Sequence, residues 1–92
     1  MDKIWLKSYP PGVPAEINAG EFASLADLFE KSVAKFAART AYVNMGKSIS
    51  YQELDELSRQ FAGYLQGELG LAPGARVALM MPNCLQYPIA MF

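Results

Sequence analysis

An α/β fold is predicted by three features of the chain. Apolar residues recur at helical spacing behind Ser24 and again behind Ser50. Between those stretches, residues 40–43 and 48–51 are rich in β-branched and aromatic side chains and flank Asn44-Met45-Gly46-Lys47 as the arms of a hairpin. Residues 76–81 (Arg-Val-Ala-Leu-Met-Met) then run apolar without alternation, the pattern of a parallel strand buried on both faces. The expected order is an extended arm, a helix, a hairpin, a helix, a buried strand and the start of a further helix. It divides into an arm, residues 1–23, and an incomplete subdomain, residues 24–92.

The arm contains Tyr9-Pro10-Pro11-Gly12-Val13-Pro14. Prolines fix φ and push the preceding residue out of the helical region, so residues 5–18 are expected to be extended. Trp5, Leu6 and Tyr9 are then free to grip a neighbouring surface. Pro11-x-x-Pro14 also has the spacing read by proline-binding domains, but short proline patterns recur by chance, and an arm packed on its own protein is the simpler reading. Ser24 opens the first helix as its N-cap, with Asp27 as a shortened capping box. Leu25, Leu28, Phe29, Val33 and Phe36 line one face, and Glu30, Lys31 and Lys35 fall on others. Such a stripe could hold a lipid or a partner helix, although core packing is its ordinary use.

Gly46 supplies the positive φ that a tight hairpin turn needs. Ser50 caps the second helix, Glu53 completes its capping box, and Ile49 is placed to staple to Leu54. Leu54, Leu57, Phe61, Tyr64, Leu65 and Leu69 carry the apolar face on to Gly70, a residue type that ends helices in the left-handed conformation. Glu53, Asp55 and Glu56 lie close in sequence, and acid clusters can hold metal or exchange protons. Adjacent helical residues diverge, however, and a helix start favours negative charge, so these three read as a solvated face.

The second helix is the crossover that a parallel strand at residues 76–81 requires. Gly70 and Gly74 do not form a phosphate loop, because no Lys-Ser/Thr follows and they precede the strand. Pro82-Asn83 ends the strand, with Asn83 expected as the next N-cap and Gln86 at the box position. Pro88 is expected to remove one hydrogen bond and tilt that helix. Cys84, in its first turn, could be activated by the helix N-terminus, but without a nearby base or second cysteine it reads as packed and inert. Ile89-Ala90-Met91-Phe92 carries no helix stop signal, so the chain is expected to be the opening section of a larger protein.

Composition narrows function by exclusion. Eight basic and nine acidic residues, net charge −1, are spread along the chain, leaving neither a basic stripe for nucleic acid nor an acidic tail. Histidine is absent, so neither a His-dependent triad nor a His-ligated zinc site can be assembled from these residues. The single cysteine permits no internal disulfide. No apolar stretch follows Met1-Asp2-Lys3-Ile4-Trp5, and the run ending at Met81 is far short of the ~20 residues that cross a bilayer, so a cytoplasmic location is expected. With 52% hydrophobic and 18% charged residues, the chain suits a segment whose faces are covered by more protein. No residue is nominated as catalytic, cofactor-binding or metal-binding.

The words Ser48-Ile49-Ser50-Tyr51-Gln52-Glu53-Leu54, Tyr64-Leu65, and Pro73-Gly74-Ala75-Arg76-Val77-Ala78-Leu79-Met80-Met81-Pro82-Asn83 resemble the amino-terminal region of the adenylate-forming, AMP-binding enzymes. That superfamily includes acyl-CoA synthetases, luciferases and peptide-synthetase adenylation domains. Trp5, Tyr9-Pro10, Pro14-x-Glu16-Ile17, Tyr42-Val43-Asn44-Met45-Gly46 and Leu85-Gln86-Tyr87-Pro88 are similar to bacterial long-chain fatty acyl-CoA synthetases in particular, and the likeness runs from about residue 4 to residue 92. One departure is Ala75, where the family has the Asp of Gly-Asp-Arg-Val, a turn residue.

The resemblance implies a parent ligase that uses ATP and Mg²⁺ to convert a fatty acid to an acyl-adenylate, releases pyrophosphate, and passes the acyl group to coenzyme A. It also implies that the Ser/Thr/Gly-rich phosphate loop, the Tyr-Gly-x-Thr-Glu segment, the ribose-binding Asp and the catalytic Lys lie in later sequence. This piece would then be scaffold, inactive alone and binding no cofactor itself, with the rest of the parent chain as its partner. Peripheral contact with the inner membrane and a homo-oligomer are left open by the resemblance. Two rivals stand beside this reading: an adenylate-forming enzyme for an aryl, short-chain or amino acid, and a free-standing interaction module that binds a protein through the Trp5–Pro14 arm or an exposed apolar helix face.

Overall fold

Serine hydroxyls open both long helices. At α1 (Leu25–Phe36), Ser24 Oγ accepts from the Asp27 amide at 3.1 Å, and Asp27 reaches back to the Ala23 amide at 3.0 Å. At α2 (Tyr51–Gly63) the capping box is complete, with Ser50 Oγ accepting from the Glu53 amide at 3.1 Å and Glu53 accepting from the Ser50 amide at 2.9 Å. The computed structural model describes all 92 residues. Its remaining elements are β1 (Thr40–Asn44), β2 (Lys47–Ser50) and α3 (Gln86–Met91), with a short 3₁₀ turn over Ile4–Ser8 and a π-helical turn over Tyr64–Glu68. The mixture of helices with a small antiparallel sheet agrees with the predicted α/β class.

The predicted hairpin forms with a tighter turn than the spacing suggested. β1 and β2 pair antiparallel from Asn44↔Lys47 to Thr40↔Ser50, and Ala41 is the extra residue of a bulge. Both turn residues have positive φ, 48° at Met45 and 79° at Gly46. A two-residue turn of that hand matches the twist of the strands, but it strains a side chain such as Met45, which is fully exposed and gains nothing by packing. Met45→Asn is therefore expected to stabilise the hairpin by about 1 kcal/mol. Amide exchange across both strands should slow by roughly fivefold; unchanged exchange would show that Met45 is not strained.

Phe29 on α1, Ile49 on β2 and Leu54 on α2 are the only buried apolar core, flanked by Val33, Ala41, Leu85 and Ile89. Ile49 and Leu54, the expected staple pair, both belong to it. α1 is tied to α2 through backbone as well: the Tyr51 amide donates to the Arg39 carbonyl and the Gln52 amide to the Ala37 carbonyl, each at 3.0 Å. Two amides that a helix start would leave unpaired are thereby satisfied. Phe29 stacks on Phe92 with ring centroids 4.6 Å apart, which brings α3 against the same layer.

Four expectations are corrected. Residues 5–18 are not wholly extended, because Ile4–Ser8 closes a 3₁₀ turn ahead of the prolines. The second helix does not run evenly to Leu69: past Gly63 it widens, with the Leu69 amide reaching the Tyr64 carbonyl at 3.1 Å, before Gly70 stops it at φ 61°. α3 starts at Gln86 without a side-chain cap, so Asn83 is not its N-cap. Pro88 consequently lies within the first turn, where its missing N–H would have been unpaired anyway, and it removes no hydrogen bond.

The fourth correction concerns residues 76–81. They form no strand, make no backbone hydrogen bond and lie mostly exposed, with Met80 at 97%. A strand is defined by its neighbours, and the only sheet present is the two-stranded hairpin. The accessible surface is 7760 Å² for a chain of 10.1 kDa, against about 5,300 Å² for a compact monomer of that mass. The radius of gyration, 17.2 Å, likewise exceeds the about 12 Å of a compact domain of this length.

Candidate functional site

The three acids at the start of α2 do not converge. Glu53 is taken up by the capping box, Asp55 accepts from Arg59 Nε at 3.0 and 3.1 Å, and Glu56 accepts from Gln52 Nε2 at 3.3 Å. No three His, Cys, Asp or Glu side chains come together as metal ligands would. Arg59 is held above the usual guanidinium value by its hydrogen bonds and attraction to Asp55.

Asp27 is held below the ordinary carboxylate value, first by the hydrogen bond from Lys31 at 2.9 Å and then by the Ala23 amide. A carboxylate whose folded value lies below its unfolded one stabilises the fold above the unfolded value, 3.8, and loses that contribution as pH falls through the folded value. Helical ellipticity of α1 is thus expected to fade below about pH 4. Asp27→Asn keeps an acceptor for the Ala23 amide but loses Lys31, and should flatten that acid limb. An unaltered limb would assign it to other groups.

Cys84 lies in the bend before α3, not in its first turn, and is free and half-buried. It lines an open groove of about 220 Å³ with Tyr42, Val43, Asn44, Tyr87 and Pro88, and two of the lining residues are joined by Asn44 Nδ2 donating to the Asn83 carbonyl at 3.3 Å. A second open groove, about 580 Å³, runs between Ala62 and Leu65 on one side and Leu71, Ala75 and Val77 on the other. Gly70 and Gly74, with φ of 61° and 87°, serve a helix stop and a turn. In the arm, Lys3 and Glu16 pair with each other.

One polar group that sequence reasoning did not single out is Ser58. Its hydroxyl is buried on α2 facing α1 and has no hydrogen-bond partner. A serine in an apolar helix face gives no signal in sequence, since burial depends on which helix packs there. Removing an unpaired buried hydroxyl relieves desolvation, so Ser58→Ala is expected to stabilise the α1–α2 layer by about 1 kcal/mol. Slower amide exchange in α2 would verify it; faster exchange would mean the hydroxyl has a partner in solution.

Helices braced on a two-stranded hairpin, with large apolar side chains left exposed, define a small α/β layer. Residues 29–92 match the family model described as AMP-binding enzyme, and the chain belongs to that family. Over its full 92 residues it is 56% identical to a long-chain-fatty-acid–CoA ligase of Escherichia coli O6:H1, 53% to that of Yersinia pestis and 49% to that of Haemophilus influenzae. The alignment covers all of this chain and 16% of each relative, so the chain spans about one-sixth of the length of the curated relatives it matches. No solved structure gives a significant match.

Proposed function

We propose that this chain is a scaffold segment of an ATP-dependent long-chain fatty acid–CoA ligase. The observation that carries the proposal is 49–56% identity, along the entire chain, to ligases of that name in three bacteria. In such a reaction the fatty acid carboxylate displaces pyrophosphate from ATP to give an acyl-adenylate, and the coenzyme A thiol then displaces AMP. The side chains present do not fit ATP, Mg²⁺ or coenzyme A. Glu16, Asp27, Glu53, Asp55 and Glu56 are taken up by caps, ion pairs or a side-chain hydrogen bond, no three acids converge, and no Lys or Arg lines either groove. No step is routed through this chain.

Its role is bracing. Residues 24–92 form one layer of a subdomain and residues 1–23 an arm laid on the parent. Residues 76–81 become an interior strand once strands from the rest of the parent flank them, and that remainder is the chief partner. No helix is long and apolar enough to cross a membrane; a cytoplasmic enzyme, with any membrane contact peripheral, fits a lipid substrate. Self-association of the parent is compatible with the exposed arm.

The test is to express the whole reading frame that contains this sequence and measure AMP release with ATP, coenzyme A and a panel of acids. A long-chain fatty acid is expected to outperform acetate, benzoate and a free amino acid by about tenfold or more in kcat/KM. Preference for one of the others would overturn the fatty acid reading while leaving family membership intact. The 92-residue chain assayed alone should release no AMP.

A further inference from the structure

We draw no further inference here: the strongest candidate, the exposed apolar run at residues 76–81 with the open groove between it and Leu65 of the π-helical turn, belongs to the surface already assigned to the rest of the parent chain, and nothing in the structure shows any other partner covering it.

Discussion

Heated as an isolated polypeptide, the 92-residue chain is expected to lose helical ellipticity over a broad range without a sharp midpoint, and to bind an apolar-surface dye before heating begins. Cooperative melting needs a core whose parts depend on one another, and here three buried apolar side chains serve the whole chain. Ile17 at 88%, Val43 at 68%, Met80 at 97% and Met91 at 52% exposure remain in water. The surplus over a compact monomer, 7760 Å² against about 5,300 Å², is about 2,500 Å². Surplus of that size on one side exceeds the about 800 Å² per partner of a standard-size interface. Amide exchange supplies a second readout: residues 77–81 should exchange freely in the isolated chain and be strongly protected in the parent protein. A steep melt with no dye bound, or free exchange of those amides in the parent, would remove the basis for an interior strand.

Leu54→Ala should abolish most of the helical signal of the chain. Leu54 is 1% exposed and joins α2 to Ile49 of the hairpin and Phe29 of α1, so its truncation opens a cavity where all three elements meet. Buried Leu→Ala changes cost about 2–5 kcal/mol, more than a chain with so small a core can lose and stay folded. Leu57, three residues further along α2, is 40% exposed. Leu57→Ala is expected to leave the spectrum nearly unchanged, since Ala is the better helix former and little buried area is lost. Far-UV circular dichroism of the two variants decides the matter. Equal losses would mean that α2 is held by helix propensity along its length instead of by the contact at Leu54.

Family membership was legible because it rests on words of sequence, and the absence of a nominated site rested on residue types: no histidine, one cysteine and acids placed where a helix start holds them. In the structure Glu53 serves a cap and Asp55 an arginine one turn away. Ser58 escaped notice because an unpaired hydroxyl is a property of what surrounds it, and nothing in the sequence names its neighbours.

The amino-acid order by itself determined the features whose energy is exchanged within a few residues. Ser24 with Asp27 and Ser50 with Glu53 find each other three positions apart, and Gly46 and Gly70 adopt positive φ where the chain must turn or stop. Only the tertiary structure decided the bulge at Ala41, the backbone ties from Tyr51 and Gln52 to the end of α1, the widened turn after Gly63 and the start of α3 at Gln86. The bulge depends on the facing strand, and the backbone ties depend on how the end of α1 abuts the start of α2. Residues 76–81 mark the limit most clearly: their apolar run specifies burial, but a strand acquires its hydrogen bonds from neighbouring strands, and the hairpin does not supply them.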